Sequence, residues 1–292
     1  MENYLQAIIQ FDFSRYPVGA FYIMVFIGVS VWGQMLFKRW MGTESIELCH
    51  EVGGYYMAVV GSLYAVVLGL VIYDAISNYQ SASLCVKNEA KALLAVYSMA
   101  DQFTDNGKTD IKALTSRYVE EVVNNEWPLM DQHGYSQKAR MTMWLLLDVV
   151  KKIEPRNENQ KALLPILMSE AITTWSERRE RRDKVDMGIP GVEWFVLLTG
   201  AVVTIIFTYF FTISVSKAQL LMTAMISFLV AINLYLVMLF GEPFSGDLKI
   251  DTTAFDILTD YIQSHLALED AGIPNAIEPL SRLDDGGGHF PD

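Results

Sequence analysis

Ser62, Val66, Gly69, Tyr73 and Ser77 are spaced four, three, four and four residues apart, so any α-helix containing them carries them on one side. The strip is uncharged and mixes small, hydroxyl and apolar groups, and Gln80 continues it. Such a strip has no group able to attack or protonate a bond. It can line a narrow path for ions, in which small apolar groups open and close the way by wetting and drying. Beside it Gly61, Ala65 and Gly69 recur every four residues, a stripe that lets helix backbones approach closely. Helix packing accounts for that stripe unaided; a central pathway lined by one such helix per subunit is the functional reading, and the pattern allows both. Selectivity by charge would have to come from the mouths. Asp74 follows the strip and would attract cations. Lys87 and Lys91, and the run Arg178-Arg179-Glu180-Arg181-Arg182, would attract anions. The arginine run reads either as a charged helix face meeting anionic headgroups or as a basic ring lining an ion vestibule.

Other chemistry finds little support. His50, His133, His265 and His289 are scattered without a second ligand at metal spacing, so no metal site and no cofactor is expected. No phosphate-binding glycine loop, nucleophile elbow or kinase-like set occurs, so no catalytic residue is assigned and the chain is not expected to be an enzyme. Glu126, before Trp127-Pro128, is a lone acid at an expected helix end. No apolar run holds an acid or base at mid-depth, which argues against proton-coupled transport. Asn233 is the most polar side chain well inside such a run and is read as interhelical glue. A net charge of −12 argues against nucleic acid as a partner.

The elements that would position these residues are membrane spans. Of the 292 residues 52% are hydrophobic and 19% charged, and the mean hydropathy is +0.24. That is too apolar for an ordinary soluble domain. Four uncharged runs account for it: Val18–Phe37, Val52–Tyr73, Trp194–Ser216 and Ala218–Phe240, each long enough to cross a bilayer as a helix. The second run carries on without interruption into charged sequence, with no glycine or proline from Leu70 to Asn106. It predicts one rod from Val52 to about Met99, ending near Asp105-Asn106-Gly107, of roughly 65 Å. Lys38-Arg39-Trp40 anchors the end of the first span at an interface. The tight turn Ser214–Lys217 makes the last two spans a hairpin. Cys49 and Cys85 fall on opposite sides of the second span, so no disulfide within the chain is expected.

The organisation expected is therefore all-α and polytopic. Residues 1–17 form an interfacial amphipathic helix; 18–75 hold spans one and two; 76–189 form a helical cytoplasmic domain; 190–241 hold spans three and four; 242–292 are a cytoplasmic tail with a helix over Thr253–Leu268 and a disordered end at Asp284–Asp292. Within the helical domain, helices are expected over Asp110–Asn125, stopping at Glu126-Trp127-Pro128, over Ser136–Ile153, and from about Asn159 to Met187 with a bend at Pro165. On one side of the membrane lie Arg15, Lys87, Lys91, Arg178, Arg179, Arg181, Arg182, Lys184 and Lys249; on the other, Lys38, Arg39 and Lys217. That asymmetry places both termini in the cytoplasm and the protein in the inner or plasma membrane.

Two spans, a long helical insert and two more spans form an order that resembles the bestrophin-like proteins, in particular the prokaryotic and plant group of unknown function. The stretches that carry the resemblance are Gly61-Ser62-Leu63-Tyr64-Ala65-Val66-Val67-Leu68-Gly69, Asn88-Glu89-Ala90-Lys91-Ala92-Leu93, Glu126-Trp127-Pro128, Arg178-Arg179-Glu180-Arg181-Arg182 and, most specific, Gly241-Glu242-Pro243-Phe244-Ser245-Gly246. The resemblance implies a homo-oligomeric channel of four or five chains, with membrane lipids and small inorganic ions as its other partners. Its second span would line the pore and its cytoplasmic helices would extend it as a vestibule. Bestrophins pass chloride and other small anions, though a bacterial relative prefers cations, so anions are slightly favoured. Glu242, Asp247, Asp251 and Asp256 are dispersed here, unlike the dense acidic clasp of calcium-gated bestrophins. The alternative is a non-conducting membrane scaffold or signalling subunit that binds a partner through its cytoplasmic helices.

Overall fold

The structure, a computed structural model, describes residues 17–41, 50–103, 105–210 and 216–270. The expected interfacial helix up to residue 16, Cys49, most of the Met41–Glu51 loop, the first half of the Ser214–Lys217 turn and the end of the tail lie outside the described residues, and Pro17 opens the first span. All regular structure described is helical: α1 Pro17–Met41, α2 His50–Met99, α3 Asp105–Glu121, α4 Trp127–Met130, α5 Gln137–Lys151, α6 Glu158–Asp186, α7 Gly191–Tyr209, α8 Ser216–Gly241 and α9 Thr253–Asp270. Four of these are long and apolar enough to cross a membrane, over Pro17–Trp40, Gly54–Gln102, Gly191–Tyr209 and Lys217–Gly241. The protein is an all-α polytopic membrane protein.

The chain divides into two compact units. The first comprises Met1–Val86, Met130–Gly134 and Glu177–Ile250; the second comprises Lys87–Leu129, Tyr135–Ser176 and Asp251–Asp292. Helix α2, 50 residues long, contributes to both. At 1.5 Å per residue it measures about 75 Å.

In the first unit a core of Tyr64 and Leu68 from α2, Leu197 and Ala201 from α7, and Val230, Leu234 and Val237 from α8 is flanked by Phe26 of α1. Glycine decides how closely these helices meet. A Cβ at Gly200 would stand 2.3 Å from the Tyr64 ring, and one at Gly19 would stand 2.1 Å from Tyr235. Tyr235 in turn donates to the Asp247 carboxylate at 3.1 Å, holding the segment after α8 against it.

In the second unit the core is built by Leu93, Val96 and Tyr97 of α2, Ile111 and Tyr118 of α3, Met143 and Leu146 of α5, Leu167 of α6, and Phe255 and Leu258 of α9. The Glu89 carboxylate is buried and accepts a hydrogen bond from the Tyr118 hydroxyl. Ser136 caps α5, its hydroxyl accepting from the Ala139 amide at 3.2 Å.

Two helix boundaries differ from the expectation. Helix α2 ends at Met99, where the rod is expected to close, and a 3-10 turn, Ala100–Gln102, follows; what differs is the Asp105-Asn106-Gly107 segment, read as part of that ending, which instead opens α3. The cause is non-local. Lys108 and Lys112 of α3 pair with Asp101 at 2.9 and 2.6 Å, and Gln160 of α6 donates to the Gln102 carbonyl at 2.8 Å. Burial raises the pKa of Asp101, but the hydrogen bonds and charges of Lys112 and Lys108 outweigh it and hold the carboxyl below its usual range.

The expected stop at Glu126-Trp127-Pro128 is also absent. The chain passes through a π turn, Val122–Glu126, into α4, with the Trp127 amide bonded to the Val122 carbonyl five residues back. Widening the turn relieves the clash that a proline ring makes with the carbonyl four residues earlier. Glu126 is buried in that turn and accepts from the Ser136 amide at 3.1 Å, and Trp127 packs edge-on against Phe255 with ring centroids 5.7 Å apart. Pro165 lies inside α6, which runs through it as a single helix.

Candidate functional site

Helix α2 meets the rest of the first unit along one seam. Tyr64, Leu68, Ala75 and Ala82 are buried, and Val71 and Ile72 pack against the core beside them. At 100° per residue this seam is centred roughly 160° from the strip Ser62, Val66, Gly69, Tyr73 and Ser77. The strip is therefore the face of α2 opposite its own protomer, and all five residues are exposed there. Val66 retains 63% of its surface and Tyr73 73%. The Ser62 hydroxyl turns back onto its own helix and donates to the Val59 carbonyl at 2.9 Å, which leaves the strip less polar than its composition suggests. Gln80 and Leu84 continue the same exposed face.

The small-residue stripe behaves differently from the glycines of the core. A Cβ at Gly61 or Gly69 would meet nothing within 4 Å, and Ala65 is exposed. Neither glycine is a point of close helix contact among the described residues. Asn233, on α8, donates to the Leu229 carbonyl of its own helix at 2.7 Å.

The charged candidates separate. Asp74 is exposed, lies roughly a quarter turn from the centre of the strip, and accepts a long hydrogen bond of 3.4 Å from Asn78. In the arginine run, Arg178 and Arg181 are buried at 3% and 0% exposure, and Arg181 reaches the Met130 sulfur at 3.0 Å. Arg179 is exposed, and Arg182 is partly exposed and 3.5 Å from Asp183. Two of the four cations thus face the interior of the first unit and two face outward. In the second unit Lys87 and Lys91 are exposed.

Among the described residues no three His, Cys, Asp or Glu side chains converge as a metal site would require. His133, at a positive φ of 56°, lies 3.0 Å from the Val185 carbonyl, and His265 of α9 lies 3.4 Å from Asp101. Cys85 is buried, its thiol bonded to the Glu177 carbonyl at 2.8 Å.

One group went unmarked in the sequence reading, which treated α1 and α8 as plain apolar spans apart from Asn233. Ser30 and Gln34 of α1, Thr204 and Thr208 of α7, and Gln219, Thr223 and Ser227 of α8 are all buried. The signal was present: polar residues four apart on three apolar helices, each set on one face.

The Bestrophin-like domain family matches residues 24–255. Among solved structures, a single-substitution variant of a bacterial bestrophin homologue from Klebsiella pneumoniae superposes with a TM-score of 0.61 at 11% identity, over 86% of this chain and 99% of that one. A second structure, described as a membrane protein with one substitution, gives 0.59 at 11% identity over 86% and 98%. No curated protein matches. The likeness to these structures concerns the fold, and the family match covers most of the chain. With the family's model matched from residue 24 to 255, across nearly all of the four membrane-crossing helices, this protein belongs to the Bestrophin-like domain family.

Proposed function

We propose that the protein is a homo-oligomeric channel in which copies of α2 surround a central path lined by Ser62, Val66, Gly69, Tyr73 and Ser77. The observation that carries this reading is the opposition of the strip to the seam: α2 packs on its own protomer by one side and turns an uncharged, partly small-residue face away from it. Family membership adds to it, since bestrophins proper are channels. Half-buried Gly61 and exposed Ala65 and Gly69 supply the close contact between neighbouring copies that such a ring needs. Anions are slightly favoured, because bestrophins proper pass chloride and other small anions and Asp74 lies off the strip. The purified protein in mild detergent is expected to have the mass of four or five chains, and on reconstitution to pass small ions through sealed liposomes. A monomer by native mass measurement removes the pore. An assembled oligomer silent at several voltages and pH values points instead to a scaffold.

Orientation rests on the excess of basic residues flanking the spans at the ends bearing both termini. Single cysteines at Gly107 and Asn157, in a chain lacking Cys49 and Cys85, are expected to be shielded from an impermeant thiol reagent in intact cells, while one in the 41–51 loop reacts. The reverse labelling pattern would invert the topology.

A further inference from the structure

Three polar stripes meet inside the first unit. On α1, Ser30 and Gln34 are 5% and 0% exposed; on α8, Gln219, Thr223 and Ser227 are 2%, 1% and 0% exposed; Thr204 and Thr208 of α7 are equally buried. Their convergence is fixed by contacts. The Tyr209 hydroxyl donates to the Ser30 carbonyl at 2.7 Å, and Phe37 lies against the Tyr209 ring at 5.7 Å, so this face of α1 abuts the end of α7. The Thr208 and Thr223 hydroxyl oxygens are 3.5 Å apart, which ties the same end of α7 to α8. Gly19 of α1 meets Tyr235 late in α8, while Ser30 is tied through the end of α7 to Thr223 early in α8, so α1 and α8 run antiparallel. Fifteen residues on from Gly19 is Gln34, and fifteen back from Tyr235 is Leu220, beside Gln219.

Within this cluster, both side-chain amide atoms of Gln34, both of Gln219, and the hydroxyls of Thr204 and Ser227 have no hydrogen-bond partner among the described residues. In the hydrocarbon region a polar group left in that state is strongly disfavoured. What satisfies them must both give and accept hydrogen bonds. A bare cation would take the amide oxygens and hydroxyls but leave the N–H groups of both glutamines unpaired. An anion would have the opposite defect. We propose that the α1–α7–α8 cluster is a water-binding site: a hydrated pocket inside each protomer, on the far side of α2 from the Ser62–Ser77 strip. It starts close to the membrane surface marked by Lys38 and Lys217, since Gln34 is four residues from Lys38 and Gln219 two from Lys217. It reaches Ser227, ten residues or about 15 Å from Lys217 along α8. The proposal stands whether or not the protein conducts.

Two measurements test it. In a chain lacking Cys49 and Cys85, Ser227→Cys is expected to react with methyl methanethiosulfonate on the order of tenfold faster than Ala201→Cys, which is equally buried but lies in the apolar core, because the reactive thiolate forms only where water solvates it. Adding Gln34→Leu should remove that advantage. Equal rates for Ser227→Cys and Ala201→Cys would overturn the proposal, as would an advantage that survives Gln34→Leu. The second measurement uses the unaltered protein, in case the variants misfold. Hydroxyl-radical footprinting, which marks residues next to bound water, should oxidise Tyr209, 7% exposed, well ahead of Leu68, 8% exposed in the apolar core, once the rates are scaled for side-chain reactivity. Oxidation of Tyr209 no faster than Leu68 on that scale would overturn the proposal and leave the interface dry.

Discussion

Val66→Trp is expected to reduce ion flux in reconstituted liposomes to the level of protein-free vesicles while leaving the mass of the oligomer unchanged. Val66 is 63% exposed and is not one of the residues that build the buried core. An indole there costs the protomer no packing. In a ring of α2 helices the same position lies in the middle of the proposed constriction, and one bulky group per subunit closes it. Val66→Ser is expected to act in the opposite sense and raise flux. A hydroxyl gives water a partner at the narrowest apolar level and lowers the cost of wetting it. Opposite effects from two substitutions at one site are hard to obtain if Val66 faces lipid. There, neither would change flux, and that outcome would move the path elsewhere in the assembly.

A second pair of substitutions separates the protomer from the assembly. Gly200→Leu is expected to destabilise the protomer by about 1–3 kcal/mol or more, because even a Cβ would stand 2.3 Å from the Tyr64 ring, which belongs to the core. A lower melting temperature in detergent, by tryptophan fluorescence, is the readout. Gly61→Leu and Gly69→Leu are expected to leave that melting temperature unchanged, since nothing lies within 4 Å of a Cβ at either position. They should instead lower the concentration at which the oligomer survives dilution, because a bulky side chain on an exposed stripe holds neighbouring helices apart. If Gly61→Leu and Gly69→Leu left the oligomer intact on dilution, the stripe would be lipid-facing. If either lowered the melting temperature of the isolated protomer as Gly200→Leu does, the contact would lie within the chain.

The spans and the long helix α2 were legible in the sequence because their cause is local. Uninterrupted apolar runs have one way to satisfy their backbone in a bilayer, and the absence of glycine and proline from Leu70 to Asn106 leaves no point at which α2 must break. The strip from Ser62 to Ser77 was legible for a related reason. Helical periodicity alone puts those residues on one face, although only the packing of Tyr64 and Leu68 shows that this face is turned away from the protomer.

Tertiary structure decided the rest, wherever the deciding partner is remote in sequence. Asp105-Asn106-Gly107 has the composition of a helix end, but the chain turns earlier, at Asp101, because lysines of the following helix hold its carboxylate. Glu126-Trp127-Pro128 reads as a stop, yet Ser136 and Phe255 hold the segment in a π turn that accommodates the proline. Arg178, Arg179, Arg181 and Arg182 are alike in sequence, and only the fold sends Arg178 and Arg181 inward. Gln34 and Gln219 are separated by most of the chain, and each on its own reads as one tolerated polar residue in an apolar span. Antiparallel packing of α1 against α8 turns them into a shared buried site, because burial removes the solvent that would otherwise satisfy each amide separately.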